Sequence, residues 1–87
     1  MDKRDRFADN LRRARQAEGI SQEELGFRCN LHRTEISLLE RGGREPRLGT
    51  MVKLAGALDT TAEALCEGIN WVPKQQQFKI DRPPRQR

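Results

Sequence analysis

Apolar residues recur at three- and four-residue intervals over the first two thirds of the chain, then switch to short alternation. Phe7, Leu11, Ala14 and Ala17 mark one face of a helix, while Arg12, Arg13 and Arg15 fall mostly on its other faces. Gly19 supplies the residue that ends such a helix in a left-handed conformation. Ser21 followed by Glu24 is the pattern of a capping box, with Ile20 and Leu25 as the hydrophobic staple around it, so a helix is predicted over about 22–29. A weaker copy follows. His32 at the N-cap, Glu35 at N3, and Leu31 with Ile36 as the staple predict a helix to about Arg41, stopped by Gly42-Gly43. His is a poor cap, so the staple is expected to matter more there. Only Asn30 and Leu31 separate these two helices, which forces a sharp angle, and Asn tolerates the positive φ common at such a turn.

Leu48, Met51, Val52, Ala55 and Leu58, widened by Leu54, restore a helical stripe after the loop around Pro46. Thr60 or Thr61 can cap a last short helix carrying Leu65 and Cys66, ended by Gly68. The fold class predicted is all-α: a five-helix orthogonal bundle over 5–68, containing a helix-turn-helix. Ile69 to Val72 and Phe78 to Ile80 then alternate around Pro73 and a run of three Gln, which predicts extended chain or a hairpin over 69–80. An isolated hairpin is unstable, so this one has to pack on the bundle or on a second subunit. Asp81 to Arg87, with Pro83-Pro84 and three arginines, is expected to be a disordered basic tail.

Composition narrows the classes. The 87 residues are 34% hydrophobic and 34% charged, enough for one small domain with a compact core. No apolar run approaches the roughly 20 residues that span a bilayer, and the charged N-terminus lacks the apolar stretch of a signal peptide, so a cytoplasmic protein without a membrane partner is expected. Cys29 and Cys66 are too few for a disulfide scaffold and are expected to be reduced, buried, small hydrophobes, with a disulfide between them as the other reading. The net charge of +4 sits wholly in residues 69–87, and the first 68 residues sum to zero. Anion binding by the bundle therefore has to come from placing charge on one face.

No catalytic constellation assembles. His32 is the only histidine, no Ser stands in a nucleophile-elbow pattern, and no Gly-rich phosphate loop is present. Glu23, Glu24 and Glu35 read as cap and surface groups. One His and two distant Cys cannot supply a metal site. Neither enzyme activity nor a cofactor is expected. The helix-turn-helix offers a simpler use. Its second helix opens His32-Arg33-Thr34-Glu35, and in this motif the leading residues reach base edges in the major groove. Arg33 can donate two hydrogen bonds to guanine, Thr34 can touch a thymine methyl or a phosphate, and Glu35 can accept from cytosine or complete the cap and orient Arg33. The plainer reading of Arg33 is a solvated arginine paired with a nearby acid.

The run Ile20-Ser21-Gln22-Glu23-Glu24-Leu25, then Asn30 through Gly42, resembles the lambda-repressor-like, XRE-type helix-turn-helix family, and Pro46 with Leu54 to Leu58 matches its fourth helix. The chain is similar to the controller proteins of restriction–modification systems, whose recognition helices often contain a His/Asp-Arg-Thr-x-Ile-Ser run. The resemblance implies a transcriptional regulator that reads double-stranded DNA. Gln22 would touch a phosphate and brace the recognition helix, Arg33, Thr34 and Glu35 would face bases, and Ser37 and Arg44 would touch the backbone. Leu25, Ile36, Leu39, Leu54 and Leu58 would be core, and Glu40 would hold the following loop or an arginine. Such proteins usually pair about a two-fold axis on a palindrome, with recognition helices about 34 Å apart. Leu65, Ile69, Trp71, Val72 and Phe78 are the expected homodimer surface, with a core lid as the other use of Trp71 and Phe78. The chain departs from the family at Glu35, at Gly26 (usually Ala), at the entry to helix four (Arg47, Gly49), and throughout the tail. Gly26 is expected to cost up to about 1 kcal/mol of helix propensity. Two other readings are an antitoxin whose tail covers a second protein, and an interaction adaptor that no longer reads DNA.

Overall fold

The computed structural model describes residues 1–83. Within them the chain forms α1 (Lys3–Ala17), α2 (Gln22–Cys29), α3 (Arg33–Glu40), α4 (Leu48–Ala57), α5 (Ala62–Leu65), β1 (Ile69–Val72) and β2 (Gln77–Ile80). The five helices are those the periodicity predicts, and the alternating segment is a hairpin.

The caps show how local chemistry sets the boundaries. Asp2 begins α1: its carboxylate accepts from the Arg4 and Asp5 amides at 2.9 and 3.0 Å, and the Asp5 carboxylate accepts from the Asp2 amide at 3.3 Å. The Asp5 amide holds the Asp2 carboxyl below its ordinary range. This complete capping box starts α1 at Lys3. The box expected at α2 is only half made. Ser21 accepts from the Glu24 amide at 3.0 Å, but the Glu24 carboxylate turns to Arg28 at 3.2 Å. At α3 the His32 ring does cap, its Nδ1 accepting from the Thr34 amide at 3.0 Å. Thr61 caps α5, and Arg47 gives α4 no side-chain cap.

The core gathers one stripe from each helix: Phe7 and Leu11, Leu25 and Cys29, Ile36 and Leu39, Leu54, Ala55 and Leu58, and Leu65. Leu11, Leu25, Ile36, Leu39, Leu54 and Leu65 are completely buried, each burial contributing about 1.5–3 kcal/mol. Three expectations need correction. Leu65, placed on the dimer surface by the sequence, is 1% exposed and cannot meet a partner. Leu48 and Val52 lie on the outer side of α4, because Met51, Leu54, Ala55 and Leu58 complete the inward stripe without them. Ala17, last of the α1 stripe, is exposed beyond the end of the core.

Gly26 is the fourth correction. It is buried, and a Cβ there would lie 2.7 Å from the Leu31 carbonyl oxygen. That close approach brings the turn onto α2, with the Leu31 amide donating to the Gly26 carbonyl at 2.8 Å. The glycine therefore serves tertiary packing, and its cost in helix propensity is offset by that contact.

The hairpin is held to α1 by buried polar groups. Arg6 is 3% exposed; its Nε donates to the Glu67 carbonyl at 2.9 Å and its Nη1 to the Asp81 carbonyl at 2.8 Å. Asn10 donates to the Leu65 and Glu67 carbonyls at 3.0 and 2.8 Å, satisfying the open end of α5. Gly68 has φ of +83°, where another residue would be strained, and a Cβ there would lie 2.7 Å from the Arg6 guanidinium carbon and displace that head group. The strands pair antiparallel with Ile69 opposite Ile80 and Trp71 opposite Phe78, which sets these four side chains on one face. Ile69 packs on the core, and Trp71 and Phe78 meet edge to face with centroids 5.1 Å apart. Lys3 Nζ lies 5.1 Å from the Phe78 ring centre. Asp81, assigned to the tail by the sequence, is hydrogen-bonded to Arg6 and to Gly68, whereas residues 84–87 lie outside the described residues.

Candidate nucleic-acid interface

The turn between α2 and α3 is built by backbone conformation. Asn30 closes α2 at φ 55° and ψ 44°, the left-handed conformation expected of it. The chain then reverses through Leu31, and α3 begins at Arg33 under the His32 cap. Two side chains at the start of α3 are free to meet a ligand. Arg33 and Thr34 are exposed, and no side chain among the described residues pairs with Arg33. The plain reading of Arg33 as half of a surface ion pair is thereby excluded among those residues. His32 is exposed beside them, its Nδ1 used by the cap and its other ring nitrogen turned away from that bond.

The far end of α3 is anchored. Glu40 is buried, with its side chain 2% exposed. Arg15 of α1 grips it with Nε at 2.6 Å and Nη2 at 2.9 Å, and Gln22 of α2 donates to the same carboxylate at 3.2 Å. The Glu40 carboxylate holds the Arg15 guanidinium above its ordinary pKa. Arg15 Nη1 also donates to the Ile20 carbonyl at 2.9 Å, and Arg12 Nη1 to the Glu40 carbonyl at 2.8 Å. One buried carboxylate thus ties the helix before the motif, the start of its first helix and the end of its second. A buried charge of this kind is tolerated only because the two-pronged arginine meets both oxygens. Gln22 thereby joins the start of α2 to the last residue of α3. Arg15 is not legible as a partner in the sequence, since its acid lies 25 residues away.

Glu35 and Arg44 are brought together. Glu35 does not return to its own cap and does not orient Arg33. Its oxygens lie 3.0 and 3.4 Å from Nη1 of Arg44, in the loop after α3. Ser37 is half-buried on α3, and its carbonyl accepts from the Arg41 amide at 3.1 Å and from Arg41 Nε at 3.3 Å. Arg47, at the N-cap of α4, is exposed and lies outside the residues that the sequence pattern assigns to the interface.

The remaining polar surface is less organised. Arg28 ties α2 to Glu24, to Glu18 at 3.6 Å and to the Ala57 carbonyl at 3.2 Å. Among the described residues no group of three or more His, Cys, Asp or Glu is placed to hold a metal ion, and no helix is long and apolar enough to cross a membrane. Both thiols are free, and burial pushes their pKa values up, away from the reactive thiolate. The shallow depression along α5 and β1, lined by Glu63, Cys66, Glu67 and Asn70, is open to solvent and holds no convergent set of catalytic groups.

Comparison with known proteins places the fold in a family. The model of the helix-turn-helix family matches residues 11–65. Control protein C.SmaI of Serratia marcescens is 40% identical over 65 residues, covering 75% of this chain and 77% of its own. An HTH-type transcriptional regulator of Sinorhizobium fredii is 46% identical over 57 residues, and there the chain spans 29% of the relative's length. Among solved structures, the restriction–modification controller protein C.AhdI from Aeromonas hydrophila superposes with a TM-score of 0.69 at 40% identity, covering 71% of this chain and 94% of its own. A match over more than half of the chain, centred on the turn at Asn30 and the helix that His32 caps, means that this protein belongs to the helix-turn-helix family.

Proposed function

We propose that the protein is a transcriptional regulator that binds double-stranded DNA in a sequence-specific way, acting in the cytoplasm with α3 in the major groove. The observation that carries this reading is the asymmetry of α3. Its first turn presents Arg33 and Thr34 to solvent, while its last residue, Glu40, is locked to α1 and α2. A helix held at one end and bare at the other suits insertion of the bare end into a groove. Arg33 is the base reader, suited to guanine O6 and N7, and Thr34 and His32 flank it. Gln22, Ser37 and Arg44 are the residues assigned to backbone contacts that would register the helix. The chemistry needed is recognition alone, so no cofactor takes part.

One such helix reads only a few base pairs, and a two-fold homodimer on a palindrome supplies the rest. Trp71 and Phe78 are the remaining candidates for its surface, since Leu65 is core, Ile69 is packed against it, and Val72 lies on the opposite face of the hairpin. Selection from random duplexes tests the reading. The parent protein is expected to enrich one palindrome, and Arg33→Ala to relax preference at one base position per half-site, by about 1–3 kcal/mol, with an unchanged melting curve. Enrichment of the same palindrome at equal stringency by the variant sinks the assignment of Arg33. Sedimentation as a monomer at concentrations that saturate the palindrome sinks the dimer.

A further inference from the structure

Glu35 is an acid at the start of a helix expected to enter a polyanion, and its carboxylate is occupied by Arg44, nine residues on. The side chains are 27% and 54% exposed, so the pair is formed in water-accessible space and can open. Arg44 uses Nη1 alone for both carboxylate oxygens, and among the described residues no other contact holds its guanidinium. While closed, the pair contributes no net charge to the face that meets DNA. If Arg44 leaves for a phosphate, a bare carboxylate remains beside the duplex, which is unfavourable unless a donor replaces the arginine. The major groove offers such donors only at particular bases: the exocyclic amines of cytosine and adenine.

Resting on the regulator reading above, we propose that Glu35 and Arg44 form a base-gated phosphate contact. On a mismatched sequence Glu35 keeps Arg44, and the arginine adds nothing to binding. On the correct sequence an exocyclic amine of a base takes the carboxylate, and Arg44 is released to the sugar–phosphate backbone. Glu35 is thereby a specificity-determining residue that acts through Arg44 as well as through a base. The gate raises selectivity chiefly by suppressing binding elsewhere.

Salt-dependent binding to the selected palindrome and to a scrambled duplex tests this in the parent, Glu35→Gln, Arg44→Ala and the double variant. Circular dichroism melts confirm that each variant is folded, as expected for an exposed pair. Glu35→Gln should tighten binding to the scrambled duplex about two- to five-fold, the range of an exposed ion pair, and steepen its log–log salt slope by about 0.9. Arg44→Ala should flatten the slope by about 0.9 on the palindrome and, because it bares the Glu35 carboxylate, weaken binding to the scrambled duplex. In the double variant the gain from Glu35→Gln on scrambled DNA should vanish. The proposal is overturned if Glu35→Gln leaves the scrambled duplex unaffected, or if the double variant still binds it more tightly than the parent does, since the arginine then plays no part in the gain. Failure of the parent protein to bind any duplex overturns the regulator reading itself, a result distinct from either.

Discussion

Replacing Gly26 by alanine sets two effects of similar size against each other. Alanine in a helix interior is favoured over glycine by about 0.8–1 kcal/mol. Against this, the new Cβ would lie 2.7 Å from the Leu31 carbonyl oxygen and 3.4 Å from the Arg33 amide nitrogen, where ordinary contact begins at 3.4 Å. The first atom is backbone, in the turn that joins α2 to α3, and the amide of the same residue is already bonded to Gly26 at 2.8 Å. It cannot swing away as a side chain would, so the cost is that of overpacking a tight contact, about 1–3 kcal/mol. The expected net result for Gly26→Ala lies between no change and a loss of about 2 kcal/mol, or about 0–16 °C in melting temperature for a domain of this size. Gly56, in α4, is the control, because nothing lies within 4 Å of a Cβ there. Gly56→Ala should gain up to about 1 kcal/mol through the same propensity effect. Thermal melts by circular dichroism read both. A Gly26→Ala protein that gains as much stability as Gly56→Ala would refute the reasoning, since the turn would then yield at no cost.

Two further predictions address the anchor and the first cap. Arg15→Met strands the buried Glu40 carboxylate and should cost about 3–5 kcal/mol in urea unfolding, much of which adding Glu40→Gln should restore; a loss below about 1 kcal/mol would mean that the carboxylate finds other partners. Asp2 has a folded pKa below its ordinary value of 3.8, so the stability it lends is full above that pH and is lost as pH falls through the folded value. An asparagine side chain caps without titrating, so the stability difference between the parent and Asp2→Asn should hold steady near neutral pH and decline in that acid window, and a pH-independent difference would remove the charged cap from the account.

The family resemblance and the helix boundaries were legible because they depend on neighbours in sequence. Ser21, His32 and Thr61 cap amides two or three residues on, and Asn30 adopts a conformation set largely by its own side chain. The paired aspartates of the first cap are harder to see, since Asp at N3 departs from the usual Glu or Gln of a capping box. The recognition turn was legible in part. Exposure of Arg33 and Thr34 follows from their place away from Ile36 and Leu39 on α3, whereas Glu35 has several roles open to it in sequence and only its contact with Arg44 chooses among them.

The order of residues is enough to dictate five helices, a left-handed turn at Asn30, the inward leucine stripes and the alternating segment after Gly68. These follow from periodicity and from hydrogen bonds that close within one helical turn. Folding in three dimensions was needed to show that Leu65 is core, that Gly26 is a close-packing position, that Arg6 and Asn10 fasten the hairpin, and that Glu40 meets Arg15 while Glu35 meets Arg44. Periodicity tells which face of a helix turns inward. Which residue on another element it meets depends on how the helices cross, and a charged side chain takes the partner that crossing brings within reach.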